Sequence, residues 1–396
     1  MAERSPHGPI PNKSPHSYPQ TEPKATPAFP SNDPGGHSPL SGKIRADLAE
    51  HGPITFREFM GMALYDPEHG YYATDIKRVG KVGDFITSVS VGRCLGLLLA
   101  RRLVGFWEEC GQPDAFHIIE PGAHDGTLCA DILREARSFC PDFYQAAHYH
   151  LIEASPALTR AQEDKLGPIL AGKFTTHASL NDLHGLHGVI LSNELIDAFP
   201  VDLIRFEGGQ WRQLLVGESQ GGLHFIPTDC EETELDAFCQ SLGTHFPDGY
   251  TTEYNPGITR FVREASAALE AGLFITIDYG HRATDYYHPG RSTGTLQTYH
   301  RHQKSENPLE RPGEIDITSH VDFTRLITAA ESAGFASPAL STQASYLTHH
   351  GRPWLLSLES ASSAETPALM RQFQTLTHPA MLGTRFMVLE MQKDVS

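Results

Sequence analysis

Nine consecutive residues, Glu120-Pro-Gly-Ala-His-Asp-Gly-Thr-Leu128, place a carboxylate beside two glycines in a pattern suited to ligand binding. They follow the apolar run Phe116–Ile119 and lead into a segment with helical periodicity. Gly122 and Gly126 permit a sharp turn and a close approach to a ligand, because glycine has no Cβ. The helix beyond them leaves unpaired N–H groups at its first turn. The carboxylate favours a cationic ligand, whereas a pyrophosphate would prefer the bare helix terminus.

A second acidic residue, Glu153, ends the next apolar run, His148–Ile152. In a doubly wound sheet, ligands bind beyond the carboxyl ends of the strands, where a carboxylate can accept both ribose hydroxyls. Glu153 could instead cap the helix that begins near Ser155. Two acidic strand ends in consecutive strand–helix units favour the ligand-binding interpretation.

The glycine spacing separates two classes of cofactor. S-adenosylmethionine carries a cationic amino group and a sulfonium, which suit carboxylates at strand ends. The dinucleotide fingerprint requires G-x-G-x-x-G, whereas these glycines are four residues apart. A dinucleotide-dependent oxidoreductase therefore remains the alternative. The expected cofactor is S-adenosylmethionine alone, and its predicted contacts in this part of the chain are Glu120, Gly122, Gly126, Thr127, Glu153 and Leu180.

A third group of polar residues, Asn193, Glu194 and Asp197, follows the apolar run Gly188–Leu191. Asn193 offers both an acceptor and a donor at the end of a strand. Glu194 and Asp197 are predicted to lie on one face of a short helical turn. Two such carboxylates can hold a guanidinium and direct one nitrogen lone pair towards a methyl group. The alternative is a helix start with acidic residues in its first turn.

The elements that must position these residues alternate between strands and helices, as in a parallel sheet. A long helix is predicted over 91–110. Strands are predicted at 116–120, 149–153, 174–177, 188–192 and 273–278, and Asp278 ends the last of these on the same side of the sheet. Asp278 either lines the pocket or serves the structure.

The pattern changes after residue 200. Runs at 201–207, 210–217 and 223–226, separated by glycine pairs, predict an antiparallel meander. The polar, turn-rich stretch Gly290–Pro312 is interpreted as a partner-facing loop. Helices are predicted near 259–271 and over 321–333, and a last strand is predicted at 385–391.

Composition limits the classes of partner. The chain has 396 residues and a formal net charge of −17, which disfavours a nucleic-acid substrate because phosphate binding needs a basic surface. An acidic surface instead suits a basic, arginine-bearing partner. The six cysteines form no C-x-x-C pair, so neither a zinc site nor a disulfide framework is expected. No metal is predicted.

The first 42 residues contain ten prolines and almost no aliphatic side chains, which predicts a disordered tail. This segment lacks the pattern of a signal peptide or of a mitochondrial presequence. No apolar run approaches the ~18 residues needed to cross a bilayer. These observations lead to the expectation of a cytoplasmic protein without membrane insertion.

Several motifs together resemble the MidA family, and the resemblance extends in order from about residue 43 to 393. The motifs that carry it are Gly52–Met60, Leu64–Tyr72, Gly83–Ser88, Asn193–Val201, Asp278–His281, Gly294–Leu296 and Asp316–Phe323. The chain differs from the family at His124, where the family has a glycine, and after Ser88, where it lacks a family carboxylate.

The resemblance implies an α/β class I methyltransferase with a Rossmann-like, seven-stranded, mostly parallel sheet and helical and β additions. It implies methylation of an arginine side chain of a protein, in the mitochondrial case a subunit of respiratory complex I. It also places Gly83, Asp84 and Phe85 in a loop over S-adenosylmethionine, with Phe85 against the adenine. Asn193, Glu194, Asp197 and Asp278 then form the predicted catalytic set.

The predicted organisation is a tail over 1–42, a helical region with the cofactor-closing loop over 43–112, and a methyltransferase core over 113–396. The core carries the inserted meander at about 201–258 and a substrate-side region at about 282–345. Two alternatives to a protein-arginine methyltransferase stay open. One is a small-molecule methyltransferase, and the other is a methyltransferase-like scaffold that binds a partner without catalysis.

Overall fold

The computed structural model describes residues 38–74, 87–219, 222–300, 303–305, 307–359 and 363–395. The predicted tail up to residue 37 and the predicted cofactor contacts Gly83, Asp84 and Phe85 lie outside the described residues. The helices are α1 (Pro39–His51), α2 (Phe56–Tyr65), α3 (Tyr71–Thr74), α4 (Cys94–Glu109), α5 (Thr127–Phe139), α6 (Pro141–Ala146), α7 (Pro156–Leu170), α8 (Thr233–Leu242), α9 (Gly257–Ala268), α10 (Ala283–Tyr286), α11 (Phe323–Ser332), α12 (Gln343–Ser357) and α13 (Thr366–Thr377).

Strands alternate with these helices in the first half of the chain and cluster after it. They are β1 (Ile54–Thr55), β2 (Phe116–Pro121), β3 (Ala147–Ile152), β4 (Phe174–His177), β5 (Leu186–Asn193), β6 (Asp202–Glu207), β7 (Gln210–Ser219), β8 (Gly222–Thr228), β9 (Thr251–Tyr254), β10 (Leu269–His281), β11 (Gln297–His300), β12 (Gln303–Ser305), β13 (Asp316–Thr318), β14 (Val321–Asp322), β15 (Ala336–Thr342) and β16 (Phe386–Lys393).

The central sheet has the strand order β15-β16-β10-β5-β2-β3-β4, and β14 pairs with the end of β10. The strands from β10 through β5, β2 and β3 to β4 run parallel, whereas β16 is antiparallel to both β10 and β15. The sheet is therefore mixed, and the prediction of an α/β fold is confirmed at that level.

Helices cover both faces of this sheet. On one face, α4 and α5 pack on alternate residues of β2 and β3, including Ile118 and Tyr149. On the other face, α9 and α11 pack on Ile119, Ile190 and Phe274. Strands buried on both faces are typical of parallel sheets between helical layers. This packing holds the carboxyl ends of β2, β3, β5 and β10 at one edge.

A second sheet has the strand order β1-β7-β6-β9, with β8 paired to β7. The strands β6, β7 and β8 are the predicted antiparallel meander, and the short strand β1 from the amino-terminal region extends it. The helix α2 begins in a capping box, in which Thr55 and Glu58 satisfy each other's backbone N–H groups. Its buried face, including Phe59, packs with Leu214 of β7 and Ile317 of β13. The amino-terminal helices are thereby fixed against the meander and the later β13 segment.

Two sequence predictions need correction here. The stretch Gly290–Pro312 is not only a loop, because β11 and β12 lie within it and pair in a small sheet with β13. The sequence did not indicate this pairing, because the strand residues are mostly polar and only Thr298 of β11 is buried.

The predicted helix over 321–333 begins at Phe323, because Asp322 accepts from the N–H groups of Thr324 and Arg325. Within the described part of the chain, no helix has the length and hydropathy of a membrane span.

Candidate functional site

The carboxyl ends of four neighbouring parallel strands bring the predicted site residues together. Glu120 lies at the end of β2, Glu153 follows β3, Asn193 ends β5, and Asp278 lies near the end of β10. The register pairs Asn193 with Ile277, directly before Asp278. We call Glu120, Gly122, Gly126 and Glu153 the glycine-turn half of the site. We call Asn193, Glu194, Asp197 and Asp278 its acidic half.

The turn after β2 uses the left-handed backbone conformation that glycine permits. Gly122 has φ +70° and Gly126 has φ +73°, and Gly126 is the N-cap of α5. A Cβ on Gly122 would lie 2.7 Å from Leu195 Cδ1, so the turn packs closely against the segment after β5. His124 also has a positive φ of 46°. The residue that replaces a family glycine therefore keeps a glycine-like backbone conformation at some cost in strain.

Both carboxylates of the glycine-turn half accept hydrogen bonds from their own chain. Glu120 is 5% exposed and accepts from the Tyr149 hydroxyl at 2.7 Å. Burial raises the pKa of Glu120 to about 8 despite this bond. Glu153 accepts from the Ser155 N–H at 2.9 Å, and burial raises its pKa. A buried acid with a raised pKa binds a cationic group readily, because the cation stabilises its ionised form.

The two remaining predicted contacts lie nearby. The Thr127 N–H and hydroxyl both donate to Asp125 Oδ1, at 3.0 and 2.6 Å, and Asp125 also pairs with Lys165. Thr127 thus stabilises the start of α5. Leu180, 4% exposed, follows β4 in a 3₁₀ turn and packs in one core cluster with Ile119 and Ile152. It lies behind the ends of β2 and β3.

The segment after β5 differs from its prediction. Glu194 has φ +51° and lies before the 3₁₀ turn Ile196–Ala198, so Glu194 and Asp197 do not share a helical turn. The helical-turn prediction is wrong, because the Glu194 N–H bonds to Ile277 O at 2.9 Å and continues the sheet instead. Asn193 Nδ2 donates to Glu194 Oε1 at 2.9 Å. Both side chains remain at the end of the strand.

Asp278 shapes this segment through backbone contacts. It is fully buried, and its Oδ2 accepts from the N–H groups of Ile196 and Asp197 at 2.9 and 3.3 Å. Its Oδ1 accepts from the Tyr279 N–H at 2.8 Å. Of the two interpretations of Asp278, these contacts favour the structural one, since the carboxylate holds the turn that carries Asp197.

The acidic half crowds three carboxylates together, of which Asp197 and Asp278 are buried and Glu194 is half-buried. Burial and the charge of Asp197 raise the pKa of Glu194 to about 8. Burial and the charge of Glu194 raise the pKa of Asp278 to about 7, and burial with Asp278 raises that of Asp197 well above its usual range. The arrangement is suited to a cationic ligand.

Four residues beside the acidic half were not predicted as site residues. The Ser88 N–H donates to Glu194 Oε1 at 3.0 Å, where the chain emerges from residues 75–86. Tyr65, Tyr72 and Asp316 come from α2, α3 and β13. The motifs Leu64–Tyr72 and Asp316–Phe323 were noticed only as family resemblance. Their proximity depends on the packing of α2 against β13, which no local pattern reveals.

Comparisons with known proteins find methyltransferases among the relatives of this chain. A Drosophila melanogaster protein named "Protein arginine methyltransferase NDUFAF7 homolog, mitochondrial" is 28% identical, covering 96% of this chain and 91% of its own. The Mus musculus "Protein arginine methyltransferase NDUFAF7, mitochondrial" is 28% identical over 88% of this chain and 83% of its own. A Burkholderia thailandensis structure bound to S-adenosyl-homocysteine is 27% identical, with a TM-score of 0.82, and covers 90% of this chain and 92% of its own.

The expectation of a cytoplasmic protein is wrong by this comparison. The relatives from Drosophila melanogaster, Mus musculus and Homo sapiens are all named as mitochondrial proteins. The expectation rested on the absence of a presequence pattern in the proline-rich start. The composition of one terminal segment is weaker evidence of location than the similarity of most of the chain to these mitochondrial relatives.

The match to a protein family decides the class of reaction. A model described as S-adenosyl-L-methionine-dependent methyltransferase matches residues 98–340, which include both halves of the site. This confirms the predicted enzyme class, its cofactor and the resemblance stated above, and it disfavours the dinucleotide alternative. The chain belongs to this family of S-adenosylmethionine-dependent methyltransferases.

Proposed function

We propose that this enzyme transfers the methyl group of S-adenosylmethionine to a guanidinium nitrogen of an arginine side chain in a protein. The observation that carries the proposal is the acidic half, where Glu194, Asp197 and Asp278 are crowded with raised pKa values. A guanidinium stays charged at every physiological pH and would ionise these carboxylates by binding them. The relatives named as protein arginine methyltransferases support the same acceptor.

The glycine-turn half fits the cofactor. Gly122 turns the chain sharply after β2 with φ +70°, and the first turn of α5 presents N–H groups beside this turn. In our assignment, Glu120 faces the cationic end of the cofactor and Glu153 accepts the ribose hydroxyls, with Gly126, Thr127 and Leu180 completing the contacts. The family resemblance assigns Gly83, Asp84 and Phe85, which lie outside the described residues, to a loop over the cofactor. When bound, the cofactor supplies a methyl group activated by the sulfonium.

The acidic half would orient the acceptor. Glu194 accepts two N–H groups of the guanidinium, and Asn193 Oδ1 is a buried acceptor without a partner among the described residues. Asp197 holds the charge of the cation away from the attacking nitrogen, and Asp278 keeps Asp197 in place. Methyl transfer is an in-line displacement, so positioning accounts for much of the catalysis. Once the bound guanidinium has ionised it, Glu194 can accept the proton that the methylated nitrogen releases.

We also infer the finer features of the fold and the substrate. The path of seven strands from β15 to β4 supports a class I methyltransferase sheet, with the meander and the 282–345 region as additions beside the site. We also propose that the methyltransferase core extends over residues 113–396. The family resemblance implies a respiratory-complex subunit as the methylated protein. The acidic surface would attract a basic segment of it.

Labelling of a whole proteome tests this function. The full chain and its Glu194→Gln variant are incubated with isotope-labelled S-adenosylmethionine and an extract of source cells that lack the gene. Proteins are then digested and analysed by mass spectrometry. We expect labelled methylarginine in one or a few proteins with the wild-type chain and none with the variant. Label in small molecules alone, or on lysine, would refute the proposal.

A further inference from the structure

A hollow of about 540 Å³ opens in the surface close to the acidic half. It is lined by His281, Asp285, His288, Gly290 and Arg291. His281 is the last residue of β10 and follows Asp278 by three positions on the same strand. Because a strand rises roughly 3.3 Å per residue, the hollow begins about 10 Å beyond Asp278. We call the five lining residues the basic hollow.

The chain around the basic hollow differs in charge from the rest of the protein. Residues 281–304 contain four lysine or arginine residues and four histidines against one acidic residue, Asp285. The whole chain, in contrast, has a formal net charge of −17. Cationic groups gathered at one place on an acidic protein favour the binding of an anionic group there.

One buried carboxylate holds both ends of the segment that carries the hollow. Glu253 of β9 is 2% exposed, and it accepts from the Tyr286 hydroxyl at 3.0 Å. It also accepts from the N–H groups of Thr295 and Leu296, at 2.7 and 2.8 Å. These two residues belong to the family motif Gly294–Leu296, to which the proposed function gives no role. A segment held in this way presents a preformed site, which reduces the entropy lost on binding.

Arg291 supplies a positive charge whose terminal nitrogens are available to a ligand. Its Nε donates to the main-chain carbonyl of Asp285 at 3.2 Å. The half-buried guanidinium forms no ion pair or further hydrogen bond with the residues that the structure describes. Asp285 therefore positions Arg291 through its backbone, and its own carboxylate is exposed. The two terminal nitrogens can hold a carboxylate through paired N–H···O bonds.

Two histidines of the hollow add to this charge. The Gly290 N–H donates to His288 Nδ1 at 3.1 Å, so the neutral His288 ring carries its proton on Nε2 and can donate it. His281 Nε2 lies 3.2 Å from His320 Nδ1, and burial together with the charge of Arg291 lowers the pKa of His281. An anion beside Arg291 would oppose this repulsion and raise that pKa. Binding of an anion should therefore be accompanied by proton uptake.

We propose that the basic hollow binds a carboxylate side chain of the methylated protein, at a short distance in sequence from the acceptor arginine. This inference rests on the proposed function and adds the kind of sequence that the enzyme recognises. The acidic half would hold the guanidinium while the basic hollow holds the carboxylate. A separation of about 10 Å corresponds to roughly three residues of extended chain, so the acidic residue should lie about two to four positions from the arginine.

Peptides that differ in one carboxylate test this inference. Glycine-rich peptides, each with one arginine and an aspartate at one of those positions before or after it, are titrated into the full chain saturated with S-adenosylhomocysteine. The matched peptides carry asparagine in place of aspartate. By calorimetry, we expect at least one aspartate peptide to bind about tenfold more tightly than its asparagine counterpart, the usual effect of a charge-assisted contact. Its binding should also take up more protons, which buffers with different ionisation enthalpies reveal.

Two neighbouring arginines provide a variant and its matched control. Arg291→Gln should remove the preference for the aspartate peptide. It should leave the affinities for the asparagine peptide and for S-adenosylhomocysteine unchanged, which shows that the variant is folded. Arg282→Gln removes the same charge at an exposed position that does not line the hollow, and it should keep the preference.

The inference is overturned if no aspartate peptide is preferred, if Arg291→Gln retains the preference, or if Arg282→Gln loses it equally. Inorganic phosphate is a further probe, and its binding through Arg291 without any preference among the peptides would indicate a phosphate site instead. The asparagine peptides separate this inference from the proposed function, because their binding depends on the acidic half. If they bind and no aspartate peptide is preferred, only this inference fails. If no peptide binds, the proposed arginine acceptor fails with it.

Discussion

The glycine-turn half and the acidic half differ in the charges that surround their carboxylates. In the former, Glu120 and Glu153 each accept a hydrogen bond from a nearby donor of the same chain, at 2.7 and 2.9 Å. In the latter, Glu194 also accepts hydrogen bonds, from the Ser88 N–H and Asn193 Nδ2 at 3.0 and 2.9 Å. Burial and the charge of Asp197 nevertheless raise the pKa of Glu194, and burial and the charge of Asp278 raise that of Asp197. The acidic half thus places carboxylates against one another, and a cation that enters it would relieve their repulsion.

The largest expected effect is on turnover in the acidic half. Glu194→Gln retains the oxygen that accepts from Ser88 and loses the charge. We expect the rate of arginine methylation to fall about 10²- to 10³-fold, as for loss of a group that stabilises transition-state charge. S-adenosylmethionine affinity should change little. Single-turnover kinetics with labelled cofactor provide the measurement.

An exposed substitution gives the control for this effect. Glu231→Gln, at the start of the segment before α8, should retain the wild-type rate. Equal rates for Glu194→Gln and wild type on an authentic substrate would show that the carboxylate neither orients the guanidinium nor accepts its proton.

A smaller effect is expected on affinity in the glycine-turn half. Glu153→Ala removes the carboxylate assigned to the ribose hydroxyls, and we expect S-adenosylhomocysteine affinity to fall about 30- to 100-fold. Calorimetry compares it with Glu163→Ala, an exposed substitution on α7. Wild-type affinity in Glu153→Ala would remove this residue from the cofactor site and leave it as a helix cap.

The sequence predicted the glycine-turn half well because its geometry is local. A strand, two glycines and a helix start are neighbours in the chain, so Gly122 and Gly126 could be assigned to a turn from their type alone. For the acidic half, the sequence predicted that Asn193, Glu194 and Asp278 lie where strands end, but it did not predict the backbone after β5. Glu194 adopts φ +51° because Ile277, on another strand, accepts its N–H.

Contacts between distant segments account for what was missed. Tyr72 and Asp316 meet across 244 residues, through the packing of α2 and α3 on the later β13. No periodicity along the chain encodes such a contact. The same holds for Gly290–Pro312, where β11 pairs with both β12 and β13 and the strands carry mostly polar side chains.

A pair of glycine substitutions isolates the close packing between the two halves. Gly122 and Gly111 both have positive φ, but only at Gly122 would a Cβ meet a neighbour, at 2.7 Å from Leu195. Gly111→Ala should cost about 1 kcal/mol from backbone strain alone. Gly122→Ala should cost about 1–3 kcal/mol more and weaken cofactor binding. Urea unfolding measures the loss of stability in each variant. Equal losses would show that the Leu195 side chain moves aside without a measurable free-energy penalty.

The smallest predicted effect concerns stability and lies away from the site. His117, His150 and His177 form a hydrogen-bonded row across β2, β3 and β4, with ring nitrogens 2.9 and 3.1 Å apart. Burial and neighbouring histidines lower the pKa of His150 to about 3. Below about pH 6.5, His150 is protonated in the unfolded chain but stays neutral in the native protein. The free energy of unfolding therefore falls as the pH falls.

Between pH 7.5 and 5.5 we expect the free energy of unfolding to drop by about 1 kcal/mol for His150. His150→Gln should remove this part of the pH dependence, and the exposed His184→Gln should not. Urea midpoints at the two pH values are the measurement. An unchanged pH dependence in His150→Gln would show that this ring titrates normally.

The central claim, that the acidic half awaits a cation, is tested most directly by counting protons. Ethylguanidinium is titrated at pH 7 into the S-adenosylhomocysteine complex, in buffers with different ionisation enthalpies. Because the pKa of Glu194 is raised to about 8 and that of Asp278 to about 7, cation binding should ionise them and release protons. The number of protons released on binding should be smaller for Glu194→Gln than for the wild-type chain. Binding without proton release, or equal affinity for uncharged ethylurea, would contradict the account.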